Sequence, residues 1–206
     1  MSALLPVALD LERLSVVLVG NGARAERRLG LLDEAGATRV RVFADAPETA
    51  LSARAGDRLR RRLPAAEDFR GADLAFVADP APGAAKAVAE TARQAGALVN
   101  VEDATASCDF HSAAVIRRGD LALGITTGGR CPMLVRVLKE WLDRLLPRDL
   151  ARTVEALADR RRRLKARRAP LAPLEIRASR AVAQLEIPHA WRPADARTQA
   201  PSDQEA

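Results

Sequence analysis

The chain has no tyrosine and only four phenylalanines and two tryptophans in 206 residues. So few aromatics leave little to stack on bases, and single-stranded nucleic acid is not an expected partner. A tyrosine-based active site is excluded outright. Two cysteines make no disulfide framework. No apolar run is long enough to span a bilayer. The opening MSALLPVALDLERLS has no basic n-region and carries Asp10 and Glu12 early, so it does not read as a secretory signal. A cytoplasmic location without membrane partners is expected.

Hydrophobic content of 48% suits a globular protein, and the formal net charge is +6. The positive charge gathers at residues 160–168, RRRRLKARR. Such a run is either a solvated helix face or a contact for a multiply anionic ligand.

The most informative stretch is SVVLVGNGARAERR, residues 15–28. The apolar run Val16–Val19 stops at Gly20-Asn21-Gly22, and helix-forming Ala23-Arg24-Ala25 follows at once. Strand, glycine turn, helix is the layout in which a dinucleotide pyrophosphate sits on a helix N-terminus. Gly20 permits the tight turn, Gly22 lets backbone approach phosphate, and Ala25 takes the third small position. The same pattern also occurs as a turn that binds nothing.

Strand and helix patterns then alternate. Ala23–Ala35 is expected to be helical, with Gly36 ending it, and RVRVFA (39–44) reads as a strand. Asp45, at its end, would either bond a ribose hydroxyl or cap a loop. LAFVA (74–78), a helix over Ala84–Gln94 and ALVNV (97–101) follow. Such alternation implies a parallel sheet whose ligands bind beyond the carboxyl ends of the strands. Gly20, Asp45, Asp79 and Asp103 would share that edge. Asp103 is placed either to exchange a proton there or to cap a turn, and Glu102 would point to the opposite side in an extended segment.

From residue 113 the pattern changes. Two short apolar segments flank Arg117-Arg118-Gly119-Asp120, a hairpin signal, and Thr126-Thr127-Gly128-Gly129 leads to Pro132, suited to a first helical turn. Met133, Leu134, Val137, Leu138, Trp141, Leu142 and Leu145 then recur at helical spacing, a stripe wide enough for a core or a subunit interface. Residues 149–168 continue as a basic helix, and the tail beyond Trp191, rich in proline and small polar residues, reads as disordered. Cys108 and His111 are spaced like metal ligands, but without a second pair they make no tetrahedral site. Cys131 reads as a packed or helix-start thiol, and His189 invites no functional reading.

Leu5-Pro6-Val7, residues 16–28, LVNVED (98–103), CDF (108–110), the hairpin and ITTGGRCPMLVRVLKEWLDRLLP (125–147) occur here in one order. Together they resemble the precorrin-2 dehydrogenase/sirohydrochlorin ferrochelatase family, the N-terminal module of sirohaem synthases. The resemblance implies an α/β fold: a Rossmann-like NAD-binding domain over 1–112, a small α+β dimerisation region over 113–147 and a helical region over 148–190, before a tail at 191–206. It implies a homodimer that oxidises precorrin-2 to sirohydrochlorin with NAD and inserts ferrous iron to give sirohaem. A dehydrogenase without the chelatase step, and a non-catalytic NAD-sensing module, are the alternatives.

Carried over by position, Gly20, Asn21, Gly22, Ala23 and Arg24 fall on the NAD-binding turn; Asp45 and Asp79, at the same strand edge, are this sequence's own candidates for further cofactor contacts. Asp103 falls on the aspartate to which dehydrogenation and metal insertion are both attributed. Thr127 falls on the second hydroxyl residue before the double glycine, so Thr127 and Gly128 are expected at the substrate. A polycarboxylate tetrapyrrole would account for the basic surface without nucleic acid, with Arg117, Arg118 and Arg130 as candidate contacts. The chain departs from the family at Val77-Ala78-Asp79-Pro80, where a small-small-Thr-Asp run is usual, and at Asp45, where proline is frequent.

Overall fold

The structure is a computed structural model that describes residues 4–79 and 83–183. The expected disordered tail, and with it His189, lies outside the described residues. The chain folds as two units. One holds the chain up to Ala114 together with Gly124–Arg136, and the other holds Val115–Leu123 and the chain from Val137.

The first unit is built on a five-stranded sheet, β1 (Ser15–Val19), β2 (Arg39–Phe43), β3 (Leu59–Arg60), β4 (Leu74–Val77) and β5 (Leu98–Val101), in the order β3-β2-β1-β4-β5. Every pairing is parallel. Parallel strands need crossovers on the sheet faces, so both faces are covered; the central strands β1 and β4 are apolar on both sides, while β2 carries Arg39 and Arg41. Val16, Leu18, Val42 and Phe76 face one layer with Leu29 and Leu32 of helix α1 (Ala23–Glu34) and Leu51 of α2 (Thr49–Ala55). Val17, Val19, Val77 and Val99 face the other, against Val88 and Ala92 of α3 (Ala84–Gln94) and Phe69.

The strands and helices expected from periodicity are present. The sequence pattern did not reveal α2 or the two-residue β3, which are too short to show a period. In the second unit, residues of β6 (Ala114–Arg118) and β7 (Leu121–Ile125), joined through Gly119 at φ +60°, form a two-stranded sheet. Helix α4 (Pro132–Leu145) begins in the first unit and runs on into the second, where α5 (Leu150–Ala166) packs on α6 (Ala172–Ala183).

Candidate functional site

The order of strands reverses between β1 and β4, and in open parallel sheets the crevice at such a switch is where ligands bind. The glycine turn lies there. A Cβ on Gly20 would stand 1.4 Å from the Ala78 carbonyl oxygen and 2.9 Å from the Ala25 Cβ, so the turn tolerates nothing larger than glycine. This contact also explains why position 25 is small. Gly22 precedes α1, and a Cβ there would meet Glu48 Oε1 at 3.1 Å and Asp79 Oδ2 at 3.2 Å.

Asn21 ties the turn to the end of β2. Its amide Nδ2 donates to Asp45 Oδ1 at 2.9 Å, its Oδ1 accepts from Ala46 N at 3.1 Å, and its carbonyl accepts from Glu48 N at 2.8 Å. Asp45 is exposed at the strand end and held by Asn21, so one of its oxygens already serves the loop.

Asp79 extends from the end of β4 with φ +52°. Its Oδ2 accepts from the Arg24 backbone N–H at 2.8 Å, in the first turn of α1, where a helix N-terminus favours an anion. The Arg24 guanidinium spans two carboxylates: Nε lies 3.5 Å from Asp79 Oδ1 and Nη1 donates to Asp103 Oδ2 at 2.5 Å. Arg24, Asp79 and Asp103 therefore meet at the α1 N-terminus, and the Asp103 side chain is 72% exposed.

Asp103 has φ +60°, which ends the strand alternation just past β5. As a result Glu102 does not turn away from it, as extended backbone would require: both line one cleft of about 150 Å³. Thr126 and Gly129 line it too, so the NVED and TTGG segments converge. Gly129 makes this close approach possible, since a Cβ there would lie 2.6 Å from Thr105 Cγ2.

Arg28 and Glu102 are the site residues that sequence reasoning missed. The Arg28 side chain is 15% exposed, donates from Nη1 to Ser112 Oγ at 2.9 Å, and lies 5.1 Å from the Phe76 ring centroid. Burial lowers its proton affinity, opposed by the nearby Glu102 carboxylate. The available signal was an arginine on the sheet-facing side of α1, next to Leu29.

The remaining candidates have local roles. Thr127 Oγ1 accepts from Cys131 N at 3.0 Å, ahead of α4, and half-buried Gly128 takes φ +63° beside it. Cys131 and Arg130 are exposed on the same turn. Arg117 is exposed on β6 in the second unit. Arg118 is not available to a ligand carboxylate: it donates to the carbonyls of Asp143 and Leu146, both at 2.7 Å, and pairs with Asp143 Oδ1 at 3.1 Å. A cation there suits the C-terminus of α4. The Cys108 thiol donates to the Val101 carbonyl at 3.1 Å, while His111 lines the cleft. Among the described residues no three His, Cys, Asp or Glu side chains gather as a metal-holding group, and no helix is long and apolar enough to cross a membrane.

Residues 7–114, just over half the chain, match a family model described as NAD(P)-binding. The chain belongs to this NAD(P)-binding family. The narrower resemblance to the sirohaem synthase module is borne out as well. The chain is 36% identical over 163 residues to a sirohaem synthase of Methylococcus capsulatus, covering 78% of this chain and 34% of that protein. It is 36% identical over 167 residues to sirohaem synthase 1 of Aeromonas salmonicida, covering 79% and 35%. The chain thus spans about a third of the length of the curated relatives it matches. Among solved structures it resembles the precorrin-2 dehydrogenase SirC, with a TM-score of 0.62 and 27% identity over 77% of this chain and 79% of that one. The Rossmann-like parallel sheet expected from the sequence is the fold observed.

Proposed function

We propose that the chain is an NAD-dependent dehydrogenase acting on precorrin-2, giving sirohydrochlorin on the route to sirohaem. The observation that carries this is the meeting of Asp103 with Arg24 and Asp79 at the glycine turn, on the ligand-binding edge of the sheet. The residues fit a dinucleotide. The Arg24 N–H in the first turn of α1 already holds a carboxylate, the missing Cβ of Gly22 lets Asp79 and Glu48 come close there, and the Arg24 guanidinium supplies a cation beside them.

In this reading Arg24 and the α1 N-terminus exchange the Asp79 carboxylate for pyrophosphate, and Asp45 addresses the adenosine ribose from the end of β2. Its negative charge disfavours a 2′-phosphate, which makes NAD the preferred form over NADP. Bound NAD supplies the hydride acceptor. Asp103, largely exposed at the mouth of the cleft, takes the proton that leaves the substrate carbon. The Thr127-Gly128 turn and Arg130 beside it are proposed to meet substrate carboxylates. The unburied apolar stripe of α4 supports a homodimer. Ferrous iron insertion is proposed as a second activity of the same aspartate, with iron as substrate.

The test is turnover of precorrin-2 with NAD, followed through NADH and the sirohydrochlorin spectrum. Asp103→Ala is expected to lose about a hundredfold or more in rate, the range of a general base, while still binding NAD. A near-normal rate would remove the proton-acceptor role. Adding ferrous iron to sirohydrochlorin with wild type and Asp103→Ala separates a bifunctional enzyme from a dehydrogenase alone.

A further inference from the structure

One carboxylate oxygen beside Asp103 stands apart from the proton transfer. Glu102 Oε2 is buried and accepts no hydrogen bond among the described residues, although the side chain as a whole is 24% exposed. Its nearest cation, Arg28 Nη2, stands 3.9 Å away, close enough for attraction and too far for a hydrogen bond. Leaving a carboxylate oxygen buried without a donor is costly, so such an atom marks a place where a ligand donor is missing. Arg28 cannot close the gap easily, because Ser112 and the Phe76 ring hold its guanidinium. An acceptor and a donor thus lie side by side in the wall of one cleft.

A planar carboxamide matches that pair, presenting an NH2 donor and a carbonyl acceptor together. The strand order says which carboxamide. A dinucleotide lying across the β1/β4 switch has its adenosine half toward β2, and its other half toward the ends of β4 and β5. Glu102 follows β5 directly, and its N–H still bonds the Val77 carbonyl of β4 at 3.0 Å. A single side chain, Arg24, reaches from the α1 N-terminus to the neighbouring Asp103.

We propose that Glu102 and Arg28 recognise the carboxamide of the nicotinamide ring, Glu102 accepting from its NH2 and Arg28 donating to its oxygen. The proposal rests on the dinucleotide reading above. It makes Glu102 a specificity determinant for the pyridine ring, distinct from the proton acceptor Asp103. Arg28 keeps the carboxamide oxygen oriented, and the carboxamide NH2 gives the Glu102 carboxylate the donor that Arg28 is too far away to supply.

Direct binding, by calorimetry or fluorescence, tests this without turnover. The probes are NAD, its 3-acetylpyridine analogue, in which a methyl replaces the NH2, and ADP-ribose, which lacks the ring. Wild type is expected to prefer NAD to the acetylpyridine analogue by about tenfold, one hydrogen bond to a charged group. In Glu102→Ala that preference is expected to fall toward unity with ADP-ribose affinity unchanged. Failure of wild type to bind ADP-ribose would remove the dinucleotide reading itself. Binding of ADP-ribose with equal affinity for NAD and the analogue in wild type would overturn the carboxamide assignment alone, whether or not the variant folds. So would a preference that survives Glu102→Ala.

Discussion

Helices α1 and α4 both carry an apolar stripe at helical spacing, and they end differently. Ala25, Leu29 and Leu32 of α1 are buried against the sheet of their own chain. No described residue of α4 is buried, although its stripe holds larger side chains: Met133 is 61% exposed, Leu134 42% and Val137 40%. The strand that precedes α1 and the glycines between them dictate what α1 lies on. The turn before α4 fixes only where that helix starts. Periodicity therefore tells that a face needs cover, and the connection decides whether its own chain supplies it.

Breaking the connection should undo α1. Gly20→Ala puts a Cβ into the Ala78 carbonyl, backbone that cannot step aside without moving β4 from β1. A loss of about 3 kcal/mol or more is expected, the upper range for overpacking. Urea unfolding of the variant reads it directly. Stability equal to wild type would mean that the turn relaxes and that α1 does not depend on it.

For α4 the cover should come from a second copy. Met133 and Val137 stand four residues apart on one face, so Met133→Glu with Val137→Glu places two charges where the homodimer would bury apolar surface. Light scattering at micromolar concentration should give a dimer for wild type and a monomer for the double variant. Secondary structure should be retained, because neither side chain is part of the buried core. A wild-type monomer would leave the stripe without a partner and sink the homodimer.

The legibility of the molecule follows the same division. β1, β4 and α1 could be read from sequence because burial on both faces writes a continuous apolar code in the two central strands, and Gly20 and Gly22 punctuate it. Asp103 and Asp79 could be placed on the carboxyl edge for the same reason. Their union through Arg24 could not, since nothing local says that one guanidinium reaches both. Glu102 was misplaced because alternation was carried one residue too far. The positive φ at Asp103 is a tertiary choice that no propensity announces. Arg118 reads as a substrate contact in the sequence because its partners, the carbonyls closing α4, lie 25 and more residues further on.

A smaller effect distinguishes the first unit by its response to acid. Between β3 and β4, Asp68 takes a bidentate pair from Arg62, 2.6 and 2.8 Å, and accepts from the Ala65 N–H at 2.7 Å. The Arg62 guanidinium also lies 5.2 Å from the ring centroid of buried Phe43. The hydrogen bonds from Arg62 hold the Asp68 carboxyl below the ordinary carboxylate range, and partial desolvation opposes them. The folded chain thus favours the deprotonated form. The stabilisation is complete above the unfolded value, about pH 4, and is lost as pH falls through the lower folded value. Asp68→Asn should therefore melt a few degrees below wild type at pH 7, with the gap closing as the buffer is taken below about pH 4. Arg62 is half exposed, and solvent screening keeps the difference small. A gap of constant size across that range would show that Asp68 contributes through the shape of its turn and not through its charge.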